Sequence, residues 1–385
     1  MDFNLTEEQE LIRKTARDFA RDHLAPGVIE RDEKAEFPSQ AIKILGDLGF
    51  MGMMVPEEWG GAGMDTISYT LAIEEISKVD ASAGVIMSVN NSLVCQMLLY
   101  FGDKFQKEKY LKELALGTAL GAFSLSEPQS GSDAGNMRTF ARREGNNYII
   151  NGTKNWITNG ISCDIVLLTC LTEKGVGTKG ISTFIIEKGM PGFKVGKKEN
   201  KLGIRGSDTC EFYFEDCIVP VKNLVGEEGQ GFKIALKTLD GGRVGIASQA
   251  LGIAQGSLDK ALEYAGQRRQ FGKTLGEFGA IQSKLAQMAI NVEAARLLIH
   301  KAAKLKDDHK PFSMEAAMAK NFASRTAMEA ATQCVQIFGG YGYMTEYGVE
   351  RLMRDAKITQ IYEGTSEIQE LVIAKSLLKK AKKGK

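Results

Sequence analysis

The sequence predicts an α+β chain in three successive parts: an N-terminal helical domain over 1–118, a β domain over 119–226 and a C-terminal helical bundle over 227–385. Three observations predict it. Apolar residues recur at helical spacing from Thr6 to about Ala115, short branched and aromatic runs cut by glycine turns replace them from about Leu120 to Pro220, and helical spacing returns after Gly226-Glu227-Glu228-Gly229. The 385 residues also exceed the roughly 250–300 that one hydrophobic core supports.

Within the first part, Thr6 and Gln9 have the spacing of a capping box, followed by Leu11, Ile12, Ala16, Phe19, Ala20 and Leu24 at helical intervals. A second helix starts near Pro38-Ser39, the glycines of Trp59-Gly60-Gly61-Ala62-Gly63 interrupt the pattern, and helix resumes through Ile73–Val79 and Leu93–Tyr100. In the second part the strand candidates are Tyr148-Ile149-Ile150, Ile165–Leu171, Ile181–Ile186 and Cys210–Val219, with Asn151-Gly152 read as a hairpin turn. In the third, Gly231–Gln267, Phe278–Leu305, Met314–Phe338 and Ser366–Ala381 read as four long helices, a set able to bundle and to associate through its outer faces. The basic tail Lys379–Lys385 reads as a frayed, solvated end.

Composition excludes several classes. The 49 Lys+Arg balance 48 Asp+Glu to a formal +1, so no global basic field draws the chain to nucleic acid or anionic lipid. No apolar run of the ~20 residues needed to span a membrane is expected. The N-terminus Met-Asp-Phe-Asn-Leu-Thr-Glu-Glu is acidic, unlike a transit or secretory segment, and points to a cytoplasmic chain, with a processed mitochondrial form as the alternative. The six cysteines form no C-x-x-C pair, and the three histidines His23, His300 and His309 are scattered. Reduced thiols follow, with no metal centre and no Ser-His-Asp triad.

Three segments combine glycine, small hydroxyls and isolated charges. Ala122–Asp133 is a Pro- and Gly-fixed loop whose amides and serines could hold a polar heterocycle or phosphate, or simply cap the loop. Val335–Tyr343 places three glycines at a helix end, where they permit close approach to a ligand; a plain C-cap explains one of them. No G-x-G-x-x-G stands between a strand and a helix, which argues against a Rossmann unit. In Ile361–Gln369, Glu363 precedes a glycine and a helix start capped by Thr365 or Ser366; it is either projected from a rigid loop or electrostatic support for the helix.

Taken together, these segments resemble the acyl-CoA dehydrogenase family over essentially the whole chain, most closely its short-chain (butyryl-CoA) members. The matching motifs are Leu125-Ser126-Glu127-Pro128 with Gly131-Ser132-Asp133, Trp156-Ile157-Thr158-Asn159-Gly160 and Lys201-Leu202-Gly203-Ile204-Arg205-Gly206-Ser207. They continue with Leu239-Asp240-Gly241-Gly242-Arg243, Arg268-Arg269-Gln270-Phe271-Gly272, Gln336–Gly340 and Tyr362-Glu363-Gly364-Thr365. The short-chain type rests partly on Gly84–Ser92.

The resemblance implies a helical domain, a β-barrel-like middle domain and a four-helix bundle, assembled as a homotetramer with one FAD per subunit and active in fatty-acid β-oxidation. It implies that Phe123, Leu125, Ser126, Ser132, Trp156, Ile157 and Thr158 line the flavin. Arg268, Phe271, Gln336, Gly339 and Gly340 would reach the FAD of a neighbouring subunit, with Thr365 and Glu367 completing the site. Glu363 would be the catalytic base, removing the α-proton of an acyl-CoA thioester while the β-hydride passes to flavin N5. The Glu363 N–H and the flavin ribityl 2′-hydroxyl would hold the thioester oxygen. Ser132, Asp240, Arg243 and Gly364 would touch the substrate, although Asp240 and Arg243 also read as an ordinary i,i+3 ion pair. Electrons would pass to an electron-transfer flavoprotein. Two positions depart from the pattern: Gly279 stands where many relatives carry glutamine, and Ser126 where threonine is more usual. The alternatives are a relative acting on branched or alicyclic short acyl-CoAs and a flavin monooxygenase of this fold, which needs no carboxylate at position 363.

Overall fold

A computed structural model of the chain describes residues 4–383. The helix Glu7–Phe19 opens on the expected capping box: Thr6 Oγ1 accepts the Gln9 N–H at 3.2 Å and Gln9 Oε1 accepts the Thr6 N–H at 3.0 Å. Its inward stripe of Ile12, Ala16 and Phe19 packs in one cluster with the helix Thr66–Val79. Asp80 then ends that helix and caps the next, its carboxylate accepting the Ser82 N–H at 2.9 Å.

The run that follows, Ala81–Phe101, corrects one expectation. Its 21 residues reach a mean hydropathy of 1.3, enough by length and composition to cross a membrane, but 83% of that window is buried inside the protein. It is a core helix around which the N-terminal, middle and C-terminal parts meet. A π-helical turn over Val89–Cys95 lets Asn90 face the sheet, donating to Met51 O and Leu114 O and accepting the Gly121 N–H at 2.9 Å.

Eight strands follow: β1 (Gly121–Ser124), β2 (Phe140–Glu144), β3 (Asn147–Thr158), β4 (Ile165–Leu171), β5 (Ile181–Glu187), β6 (Phe193–Lys198), β7 (Thr209–Pro220) and β8 (Leu224–Val225). They form one sheet in the order β6-β7-β3-β2-β4-β5-β8, with β1 parallel to β4. β4 and β5 are buried almost throughout, as their unbroken apolar runs require. Asn151-Gly152 is not the hairpin turn. β3 runs straight through it, with a register shift between Ile150 and Gly152, and the turn lies at Gly145-Asn146, where Gly145 has φ 58. The reason is tertiary: a Cβ at residue 152 would sit 2.5 Å from Thr139 Oγ1, so glycine serves a close crossing and a bulge.

The four long helices occupy Gly231–Gln267, Gly279–Asp307, Ser313–Phe338 and Ser366–Lys383. A fifth, Val349–Thr359, escaped the sequence reading because two of its six buried residues are the ion-paired Arg351 and Asp355, 3.1 Å apart, which break the apolar stripe. The tail is helical through Lys383; residues 1–3, used above for localisation, and 384–385 lie outside the described residues. All six cysteines are buried and unbridged. One hydrophobic cluster joins Leu93 of the core helix, Leu167 and Ile185 of the sheet, and Val244, Ala323 and Leu352 of the C-terminal helices, so the three parts share a core.

Candidate active site

Glu363 lies where the chain leaves Val349–Thr359 and turns toward the last helix. The turn is left-handed at two consecutive residues, φ 51 at Glu363 and φ 94 at Gly364, a conformation that a glutamate keeps only when its surroundings enforce it. Lys320 Nζ donates to Gly364 O at 2.7 Å, and Gln369 Nε2 donates to Gly364 O at 2.8 Å and Glu363 O at 3.2 Å. Asn321 Nδ2 holds Ser366 O at 3.0 Å. Of the two candidate caps, Thr365 serves: its hydroxyl accepts the Ile368 N–H at 3.4 Å. Glu367 is exposed in the first turn, its carboxylate held below the usual range by its own backbone N–H and the Thr365 hydroxyl.

The Glu363 side chain keeps some surface, but its Oε2 is buried with no hydrogen-bond partner among the described residues. The carboxylate rests on Gly242 of Gly231–Gln267: a Cβ there would lie 2.2 Å from Oε2 and 2.7 Å from Leu93 Cδ2. Burial raises the Glu363 pKa to about 7, against the opposing pull of Lys320 and Arg243. A carboxylate tuned to neutral pH and left unpartnered is suited to taking a proton. The preceding Tyr362 is pinned by its hydroxyl to Gln249, whose Nε2 donates to Ala81 O at 2.8 Å.

Asp240 and Arg243 form the i,i+3 pair, 2.6 Å apart, and Ser313 Oγ donates to Asp240 at 2.8 Å. These three line a groove of about 510 Å³ together with Lys179, Lys233 and Lys237. Arg243 Nε is buried without a partner among the described residues. The ion pair therefore stands on the wall of an open groove and leaves one guanidinium nitrogen without a partner among the described residues.

The loop after β1 and the end of β3 form a second group. Ser126 O accepts the Asn155 N–H at 2.9 Å, which sets the loop beside a register shift between Lys154 and Ile157. That bulge turns Trp156 outward, at φ 63 and 63% exposed, while Ile157 is buried and Ser126 and Thr158 are half-buried. Phe123 and Leu125 are partly buried against the core, and Ser132 is exposed. Beneath them lies a buried ion pair: Lys154 Nζ meets Glu127 Oε1 at 2.9 Å and Leu125 O at 2.8 Å. Glu127 also accepts the Thr139 N–H at 3.0 Å and the Arg138 N–H at 2.6 Å.

A third group surrounds a cavity of about 460 Å³ lined by Tyr264, Arg268, Gln270, Phe338, Gly339, Gly340 and Tyr341. The Arg268 guanidinium lies 5.2 Å from the Tyr341 ring centroid. Phe271, at φ 51 between the short strands Arg269–Gln270 and Lys273–Thr274, is 93% exposed. Gln336 is exposed on the helix end, outside the cavity lining. The residues lining this cavity include none from the Glu363 turn or the Trp156 bulge.

Comparison with known proteins bears on the chain's family and fold. Models of the N-terminal, middle and C-terminal domains of acyl-CoA dehydrogenases match residues 6–118, 122–217 and 229–378. The chain belongs to the acyl-CoA dehydrogenase family. The short-chain specific acyl-CoA dehydrogenase of Clostridium acetobutylicum is 51% identical over 374 residues, 97% of this chain and 99% of that protein. The structure of butyryl-CoA dehydrogenase from Megasphaera elsdenii superposes with a TM-score of 0.97 at 50% identity, covering 98% of this chain and all of that one, 100%. A chain in a structure of the electron transferring flavoprotein of Acidaminococcus fermentans, solved toward a mechanism of flavin-based electron bifurcation, gives 0.97 at 52% identity, covering 98% and 100%.

In this acyl-CoA dehydrogenase, four features of the site were not read from the sequence: Lys320, the Tyr362–Gln249 contact, the Glu127–Lys154 pair and the space at Gly242. Two left a signal. Lys320 is a lone charge in the alanine-rich run Ala316-Ala317-Met318-Ala319, and Lys154 falls on the inward side of a strand shared with Tyr148 and Ile150. The other two depend on contacts between distant segments and left none.

Proposed function

We propose that the protein oxidises short-chain acyl-CoA thioesters, with butyryl-CoA as the type substrate, to trans-2-enoyl-CoA, and that Glu363 removes the α-proton. The observation that carries the reading is the Glu363 carboxylate, buried, unpartnered at Oε2 and raised to about pKa 7. In water such a carboxylate is too weak a base for an α-proton of a thioester, so the site must also stabilise the developing enolate oxygen. The Glu363 N–H makes no hydrogen bond among the described residues and is the donor assigned to that oxygen. A preorganised donor of this kind contributes about 2.7–4 kcal/mol in a dry site. In this reading Asp240 and Arg243 hold the CoA arm along the groove they line, and Ser132 and Gly364 are further substrate contacts. The short-chain and butyryl-CoA names of the relatives support the substrate class.

The cofactor of this reading is FAD, which when bound supplies the acceptor for the β-hydride. The donor set fits it. Trp156 offers an exposed aromatic face, and the Ser126 and Thr158 hydroxyls beside it make no hydrogen bond among the described residues. At the other group, an arginine stands before Gly339 and Gly340, where an added Cβ would meet nothing within 4 Å, a cradle suited to a pyrophosphate. In a homotetramer Arg268, Phe271, Gln336, Gly339 and Gly340 would serve the neighbouring subunit's FAD, and Leu125, Ile157, Thr365 and Glu367 their own. The electron acceptor of this reading is an electron-transfer flavoprotein.

Anaerobic mixing of the yellow enzyme with butyryl-, isobutyryl-, isovaleryl- and cyclohexanoyl-CoA tests the reading. Butyryl-CoA is expected to bleach the flavin with the highest kcat/KM. Bleaching by none of the four overturns the activity, and preference for a branched or alicyclic thioester overturns the substrate class.

A further inference from the structure

Lys320 takes no part in the chemistry above, yet its placement is unusual. It is 0% exposed on Ser313–Phe338, on a face otherwise made of small buried residues, Ala316, Ala317, Ala323 and Ser324. Among the described residues its ammonium makes one hydrogen bond, to Gly364 O at 2.7 Å, and has no carboxylate within 4.0 Å. Burying a cation against a neutral carbonyl is costly, and a neutral side chain would hold that carbonyl at lower cost. The charge itself therefore calls for a role, and the residue it holds follows Glu363.

We infer that Lys320 is a positioning residue for Glu363: with Gln369 it fixes the left-handed turn through the Gly364 carbonyl, and its unpaired positive charge keeps the neighbouring carboxylate ionised. The inference rests on the reading of Glu363 as the base. The charged and titratable groups around Glu363 support it. From Gly231–Gln267 comes Arg243, already neutralised by Asp240 at 2.6 Å; from Thr66–Val79, the Tyr69 phenol; from the turn itself, Tyr362; and from the last helix, the exposed Glu367. Lys320 is thus the cation in this set without a carboxylate of its own. It is also the larger of the two pulls that oppose burial at Glu363. Its own pKa, lowered to about 8 by burial, leaves it charged while Glu363 titrates near 7.

The test is the pH dependence of kcat/KM for butyryl-CoA, measured on the FAD-loaded wild type and on Lys320→Gln, Lys320→Met and Gln369→Leu. Lys320→Gln keeps a donor and removes the charge. Its acid limb should move up by about one pH unit, an approximately tenfold loss near pH 6 that shrinks toward pH 9; Lys320→Met, which also removes the donor to Gly364 O, should move the limb equally and lower the rate at every pH besides. Gln369→Leu should lower the rate at every pH without moving the limb. An unmoved limb in a folded, flavin-loaded Lys320→Gln overturns the inference. Failure of both Lys320 variants to fold also overturns it, since the residue would then be structural. A wild type inactive on butyryl-CoA, or a Glu363→Gln variant that reduces flavin normally, instead overturns the reading of Glu363.

Discussion

Replacing Glu363 by glutamine preserves size and removes the charge, and it should have two effects of opposite sign. Turnover should fall by about 10²–10⁴-fold or more, because a positioned general base is lost while binding groups remain. Stability should rise, by an amount that grows from about pH 4.5 and levels off above pH 7. The folded-state pKa of about 7 lies above the ordinary glutamate value of 4.5, so the folded chain holds this proton more tightly than the unfolded one. The favourable contribution of the protonated side chain is complete below about pH 4.5 and is lost as pH rises through 7. At about 1.4 kcal/mol per pH unit, the ionised carboxylate costs the wild type ~3 kcal/mol at pH 8.5. Glutamine never ionises. Thermal unfolding of the two FAD-loaded proteins, without CoA ligand, should therefore give similar Tm values at pH 5 and a variant that melts several degrees higher at pH 8.5. A Tm difference that does not change with pH, or a wild type that gains on the variant as pH rises, would show that the carboxylate is not held buried and unpaired.

Gly242→Ala should lower kcat/KM by about a hundredfold with flavin content unchanged, because the new methyl takes the place of Glu363 Oε2; steady-state kinetics with unaltered kcat/KM would show that the carboxylate has room elsewhere. Lys154→Met strands Glu127 without its cation and should cost about 3–5 kcal/mol in chemical denaturation. A loss below about 1 kcal/mol would mean that the Arg138 and Thr139 amides suffice. Arg268→Ala should reduce flavin per chain and tetramer stability together, read by absorbance and native mass; full flavin retention would remove the cross-subunit contact from the proposal.

The sequence by itself determined the order of helix, sheet and helix, the cap at Thr6, the strand Ile165–Leu171 and the helix Gly231–Gln267 at its observed ends. Each is written in contiguous residues, as a cap, a run or a period. It also singled out Glu363, by motif. Where a signal depended on what lies across the fold, it misled or was silent: Asn151-Gly152 serves a close crossing at Thr139, the charges of Val349–Thr359 are paired inside, and Ala81–Phe101 buries its apolar length in the protein. Only the tertiary structure supplies the burial that raises the Glu363 carboxyl to about pKa 7. A glutamate in a loop is an ordinary acid, and nothing within the turn itself withdraws its carboxyl from water. Gly242 and Leu93 do that from other helices, while Lys320, 44 residues from the carbonyl it holds, returns part of the charge balance. Desolvation and buried charge act through space, so they come into being only when the chain has folded.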